Sequence, residues 1–202
     1  MDGAVNDVLL AELAEQARQV VRCPLPLTTA LGQLPATGWV DAARFDPQHP
    51  YGRRTLWHAD GVEVMIAGWS PGRPCAPHDH GAALGAVRVL QGRAVHRQWH
   101  RLAGRLVPGR SEVYGTAEVL ACPRGYVHQM CGSHGPSPLV TLHLYVGPTS
   151  PMAVYDRAHT RTQWIDAGGG AWVHASDDAR VLAVERGWMP SSLAIERGPS
   201  GV

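Results

Sequence analysis

The sequence predicts a mainly β protein, an antiparallel barrel or sandwich preceded by a helical segment, and three observations lead there. From about Thr55 to Tyr145, short runs rich in β-branched and aromatic residues alternate with Gly, Pro and Asp breakers. The spacing of those runs suits an antiparallel sandwich or barrel better than alternating βα units, which need helical crossovers of about a dozen residues or more. Residues 6–22, by contrast, carry Leu10, Leu13, Ala14, Ala17, Val20 and Val21 at three- and four-residue spacing, which is the stripe of an amphipathic helix.

In chain order, Asn6 is the expected N-cap of that first helix, and a second short helix is expected over residues 26–32. The strands expected next are residues 62–69, 85–92, 93–100, 112–120, 125–130 and 139–146. A further strand pair, residues 163–165 and 171–173, flanks the turn-forming Gly168-Gly169-Gly170. Residues 177–188 read as helical, and the Pro/Ser/Gly-rich end beyond them as disordered. No internal repeat or low-complexity tract interrupts the chain. A single domain follows, with a helical region at 1–50, a β-barrel at 51–175 and a tail at 176–202.

Composition narrows the function classes. Eighteen Lys and Arg against seventeen Asp and Glu leave a formal charge of +1, dispersed without a basic block. Nucleic acid and anionic membrane are therefore poor candidate partners. No apolar stretch approaches the roughly 20 residues that span a bilayer, and the N-terminus has early acids but no basic n-region. A cytoplasmic protein is the expectation. Cys23, Cys75, Cys122 and Cys131 form no C-x-x-C pair, and they read as free packing thiols rather than a disulfide framework or zinc site.

The histidines say more. Most of the eleven lie between residues 58 and 143, and two of them form Pro77-His78-Asp79-His80-Gly81. In a strand, residues two apart share a face, so His78 and His80 can present both imidazoles to one point. His128 follows the turn Pro123-Arg124-Gly125, and a barrel can bring it beside the first pair. Three neutral nitrogens would hold one side of a transition metal and leave the opposite positions open. An H-x-H taken alone is weak evidence, because surface histidines fall at that spacing by chance.

Context adds to it. H-x-H, then Gly92, then a distant histidine resembles the paired motifs of the cupins, whose fold is a double-stranded β-helix. Most metal cupins add a glutamate shortly after the H-x-H, whereas residues 82–88 here contain no acid. A three-histidine Fe(II) keeps its full +2 charge, which suits an anionic substrate atom such as a thiolate. In Tyr51-Gly52-Arg53, the H-x-H segment, Gly85-Ala86-Val87-Arg88-Val89-Leu90-Gln91-Gly92, Gly125-Tyr126-Val127-His128 and Thr141-Leu142-His143-Leu144-Tyr145, the chain resembles the thiol dioxygenases. Cysteine dioxygenase is the best-known member of that family, and the likeness covers roughly residues 51–156.

The resemblance implies that His78, His80 and His128 bind Fe(II), and that Thr141, His143 and Tyr145 form a relay beside it. Alternation along a strand puts those last three on one face. Thr141 stands where the family has serine and keeps the hydroxyl. Arg53 would grip a substrate carboxylate, with Tyr51 nearby, because a guanidinium fork bonds carboxylate bidentately. Arg54 leaves that register open, and Arg157 is the alternative clamp. Arg73 and Arg88 read as surface or structural. Gly85 occupies the position where animal members carry the cysteine of a Cys–Tyr cross-link, so no thioether to Tyr145 can form there. His96, His134 and the remaining histidines read as solvated or hydrogen-bonded structural groups.

The function implied is Fe(II)-dependent oxidation of a small thiol-carboxylate to its sulfinate. Both atoms of O2 are used and no reducing cofactor is needed. L-Cysteine is the first substrate expected, and 3-mercaptopropionate or a similar amine-free thiol is the alternative. A non-catalytic metal-binding sensor and a metal-dependent isomerase or hydrolase are the rivals from other classes. The intact relay argues against the first, and the missing glutamate against the second. Oligomeric state is not legible.

Overall fold

The computed structural model of the chain describes residues 3–18, 25–34, 38–135 and 137–188. Two helices open it, α1 (Gly3–Arg18) and α2 (Leu25–Gln33). Helix α1 begins before Asn6, so Asn6 lies within its first turn and is not the N-cap. Val20, Val21 and Cys23 lie outside the described residues, as does the Pro/Ser/Gly-rich end. The expected stripe is present, for Leu10, Leu13, Ala14 and Ala17 are all buried.

Eleven strands follow, β1 (Tyr51–Ala59), β2 (Val62–Trp69), β3 (Leu84–Gln91), β4 (Arg93–Leu102), β5 (Arg105–Gly115), β6 (Val119–Cys122), β7 (Val127–Gly132), β8 (Leu139–Val146), β9 (Met152–Asp156), β10 (Arg161–Ile165) and β11 (Val181–Arg186). They form a five-stranded sheet in the order β1-β2-β8-β3-β6 and two three-stranded sheets, β5-β4-β7 and β11-β10-β9. Every strand pair is antiparallel. The mainly β class with N-terminal helices is therefore the one observed.

One short segment links the two smaller sheets. His78 makes antiparallel bridges to His128 of β7 on one side and to Val154 of β9 on the other. Around it, the Cys75 N–H donates to the Met130 carbonyl at 3.0 Å, and the Tyr155 N–H donates to the Pro77 carbonyl at 2.9 Å. The H-x-H segment is a single bridge position rather than the regular strand expected. His80 already belongs to the turn that leads into Gly81 and Ala82.

Strands β2, β3 and β8 are buried on both faces, which explains their near-continuous apolar runs. Their outward residues Val64, Ile66, Ala86, Leu142 and Leu144 pack under the buried stripes of α1 and α2. Their inward residues Ala67, Val87 and Val89 meet Met152, Val154 and Ile165 of the opposite layer. Each fully buried Leu or Ile in these layers stabilises the fold by about 1.5–3 kcal/mol. Arg88 fastens the helices to the barrel. It is buried, and Nη1 donates to the carbonyls of Leu31, at 3.0 Å, and Leu34. Those acceptors are orphan carbonyls at the end of α2, a favourable place for a cation.

Three expectations are corrected. The run 112–120 is two strands, broken where Thr116 and Ala117 turn with Ala117 at φ +73°. Residues 171–173 are not a strand, because the two sides of β10 are already taken by β9 and β11. Residues 177–188 contain β11 instead of a helix. Its burial alternates along the edge of β10, with Leu182 and Val184 outward, and the open row of β10 hydrogen bonds outweighs a weak helical pattern. Strands β1 and β9 were not anticipated as strands.

Candidate metal centre and its relay

The three histidines come together although they arise from two different structural settings. His78 and His128 exchange backbone hydrogen bonds, N–H to carbonyl, at 2.9 Å in each direction. Their rings consequently sit side by side, with centroids 4.5 Å apart. His80 reaches the same point from the turn, placing its Nε2 2.8 Å from Nε2 of His128. One ring nitrogen from each of the three residues lies within 4.8 Å of the others. No other such group of three or more His, Cys, Asp or Glu is found among the described residues.

The rings are held in orientation. Nδ1 of His78 lies 2.9 Å from the Ala76 carbonyl, which only a protonated nitrogen can satisfy, so Nε2 keeps its lone pair. Asp79, buried between the two ligand candidates, secures the backbone. Its Oδ1 accepts from the N–H groups of Gly81 at 3.0 Å and Ala153 at 3.1 Å. Its Oδ2 accepts from the Tyr155 hydroxyl at 3.3 Å and lies 3.7 Å from Arg101 Nη1. Gly81 turns at φ +59°, and a Cβ there would meet the Pro151 carbonyl oxygen at 2.9 Å.

Burial lowers the proton affinity of all three imidazoles, and their mutual repulsion adds to it for His80 and His128. His78 falls to about 4, chiefly through burial. Three neutral rings that each bring one nitrogen to the same point, with those of His80 and His128 2.8 Å apart, form a good donor set for a transition metal. The residues present therefore fit a metal ion.

Strand β8 supplies the relay. Thr141, His143 and Tyr145 alternate on its inward face, opposite Ala67, Met65 and Glu63 of β2 and Val89, Val87 and Gly85 of β3. The Trp69 indole N–H donates to Thr141 Oγ1 at 2.8 Å. Thr141 Oγ1 lies 2.7 Å from His143 Nε2, and His143 Nδ1 lies 2.9 Å from the Tyr145 oxygen. That oxygen is 3.4 Å from His80 Nε2. Trp69 can only donate, and when the Thr141 hydroxyl donates in turn to His143 Nε2, His143 is protonated at Nδ1 and donates to Tyr145. In that tautomer the phenol proton points into the site, toward His80. Burial first, then the nearby Cys122, Tyr51 and Glu63, raise the Tyr145 pKa well above the usual phenol value. Burial lowers His143 to about 3.

A pocket of about 570 Å³, its open mouth included, leads to this point and is lined by Arg53, Tyr51 and Glu63 as well as the histidines and Tyr145. Arg53 faces that pocket while Arg54 is exposed, and Arg53 Nη2 donates to the Ala167 carbonyl. The Tyr51 hydroxyl accepts from the Ala171 N–H at 2.8 Å, and burial pushes its pKa up to about 12. Arg157 lies elsewhere, 4.6 Å above the Trp99 ring. Arg73 is a surface group bonded to the Pro47 and Gln48 carbonyls. Cys75, Cys122 and Cys131 are free thiols, and His134 is exposed in its loop.

The family model for cysteine dioxygenase type I matches residues 6–158. The chain belongs to the cysteine dioxygenase type I family. Among solved structures it is similar to an uncharacterised conserved protein with a double-stranded β-helix domain from Klebsiella pneumoniae, at 18% identity and TM-score 0.47 over 56% of this chain and 90% of that one. It is also similar to an oxalate oxidase, at 19% identity and TM-score 0.46 over 57% of this chain and 61% of that one. Membership makes this a thiol dioxygenase of the cupin type, and its three-histidine group fits a metal-binding cupin. No described helix is long and apolar enough to cross a membrane.

For this cysteine dioxygenase relative, sequence reasoning passed over four residues. Trp69 anchors the relay through its bond to Thr141, and no motif singles it out. Asp79 and Glu63 are given no role by the sequence motifs, although Asp79 secures the backbone and Glu63 lines the pocket. His96, which read as a structural histidine, is buried with Nε2 3.0 Å from Nδ1 of His128. Its position on β4, two residues from the partner of His128, carried the only available signal.

Proposed function

We propose that this protein is an Fe(II)-dependent dioxygenase that converts L-cysteine to cysteine sulfinate, with His78, His80 and His128 as metal ligands. The observation that carries the reading is the Tyr145 hydroxyl, 3.4 Å from His80 Nε2 at the end of the Thr141–His143 chain. The overall change is RSH + O2 → RSO2H, in which sulfur supplies the electrons and both oxygen atoms are retained. Bound Fe(II) would supply a +2 charge undiluted by carboxylate, favouring the thiolate form of the substrate and the redox chemistry of O2.

The chain's own groups do the rest. Arg53 holds the substrate carboxylate in its planar fork at the pocket wall. Tyr145 stays a phenol, because burial opposes its ionisation, and donates its proton as a hydrogen bond toward the substrate. His143 and Thr141 keep that proton directed. Glu63 and Asp166 bring negative charge to the same pocket as Arg53, so its walls complement both the ammonium and the carboxylate of an amino acid. This favours cysteine over 3-mercaptopropionate.

The test is oxygen-electrode consumption by iron-loaded protein offered cysteine, 3-mercaptopropionate, cysteamine and mercaptosuccinate separately, with the products identified as sulfinates. Cysteine is expected to be oxidised most efficiently. Fastest turnover of 3-mercaptopropionate would replace the substrate, and no uptake with any thiol would sink the proposal.

A further inference from the structure

His96 lies on β4 behind the metal-facing side of His128, and it is only 2% exposed. In the β4–β7 ladder Gln98 is paired with His128 and His96 with Met130, so His96 and His128 are diagonal neighbours on one face. The His96 ring is fixed in place. The Tyr126 ring stacks on it with centroids 5.8 Å apart and planes 13° apart, and Tyr114 meets it edge-on at 5.9 Å. Its Nε2 is 3.0 Å from His128 Nδ1.

Nε2 of His128 is the nitrogen turned to His80, so a metal there requires the remaining proton of His128 to sit on Nδ1. That proton needs an acceptor, because a buried N–H left without one is costly. We infer that His96 is a positioning residue for His128: its neutral Nε2 accepts the Nδ1–H and so fixes both the tautomer and the ring angle of the third ligand. This inference rests on the three-histidine metal site proposed above. It also extends the charge argument outward. His78 leans on a carbonyl and His128 on an imidazole, so neither ligand is backed by a carboxylate that would make its ring more anionic.

The test is Fe(II) affinity by chelator competition, without oxygen and without thiol, for the wild type, His96→Leu and His96→Gln. The glutamine amide oxygen can take the place of Nε2 as an acceptor, whereas leucine cannot. Leucine is expected to weaken Fe(II) binding about 10–100-fold, and glutamine to recover most of that loss. Wild-type affinity in the leucine variant, or equal weakening in both variants with unchanged melting, would overturn the inference. A measurement on the unmutated protein guards against a misfolded variant. In 15N-histidine spectra of the Zn(II)-loaded wild type, His128 should carry its proton on Nδ1 and His96 should have a bare Nε2. A protonated His96 Nε2 would overturn the inference. Because no thiol is used, the expected metal behaviour in a protein that oxidises no thiol would remove the dioxygenase reading alone. Unchanged metal affinity in an active enzyme containing leucine would remove this inference alone.

Discussion

Gly85 stands directly across the β3–β8 ladder from Tyr145, and a Cβ built on it would lie 2.6 Å from Cδ1 and 2.7 Å from Cε1 of that ring. The phenol occupies the space a side chain would need. Gly85→Ala should therefore push the ring away from His80 while leaving the three imidazoles in place. We expect iron content to be unchanged and kcat/KM for cysteine to fall about 10–100-fold. Full activity in this variant would show that Tyr145 need not sit where it does.

Removing a ligand and removing the relay's end should have different signatures. His128→Ala takes away one of three donors and is expected to strip iron from the purified protein, as measured by metal analysis. Tyr145→Phe removes only the hydroxyl, so iron should stay while kcat falls about 10²-fold, the usual scale for a positioned proton donor. Equal metal loss in both variants would mean that Tyr145 acts on the metal rather than on the substrate.

Glu63 pairs across from Tyr145 on β2 and lines the pocket with Arg53. Glu63→Gln keeps the shape and removes a charge. The ratio of kcat/KM for cysteine to that for 3-mercaptopropionate should fall about tenfold, equivalent to about 1.4 kcal/mol of lost discrimination. An unchanged ratio would exclude Glu63 from recognition of the amine.

Arg88 tests the junction between helices and barrel. Arg88→Met keeps much of the apolar stem but loses the bonds to the Leu31 and Leu34 carbonyls. Hydrogen bonds from a charged donor contribute about 1.5–3 kcal/mol each, so with two lost urea unfolding should show a loss of about 3–6 kcal/mol. The iron stoichiometry should not change.

Metal-free protein should lose stability in acid. Burial holds His78 at about 4 and His143 at about 3, both below the ordinary histidine value of 6.5. Depressed values mean that the unfolded chain binds protons first as pH falls. The stabilisation is thus complete above about 6.5 and is lost progressively from there down toward about 4 and 3. A melting temperature that rose between pH 7 and pH 4.5 would contradict these environments.

The parts of the site that were legible in sequence share a physical reason. Thr141, His143 and Tyr145 obey strand alternation, and β8 is the expected run 139–146 residue for residue. His78 and His128 needed no knowledge of the ladder to be paired, only the motif order. What escaped was set by tertiary neighbours. β11 reads as helical in isolation and becomes a strand because β10 has a free edge. His96 is meaningful only once β4 lies beside β7. Glu63 acquires a role only because β2 flanks β8 inside the barrel. Local pattern cannot report which strands become neighbours.

The mutual hydrogen bonds between the main chains of His78 and His128 have one more consequence. Two of the three donors are neighbours in the ladder that joins the smaller sheets, so forming that ladder already brings them together. Metal uptake then orders little chain, unlike small zinc modules in which binding and folding are one event. The apoprotein should persist as a folded receptor, able to wait for iron and to give it up without unfolding. Its activity in a cell would then follow the supply of the ion rather than the supply of newly folded chains.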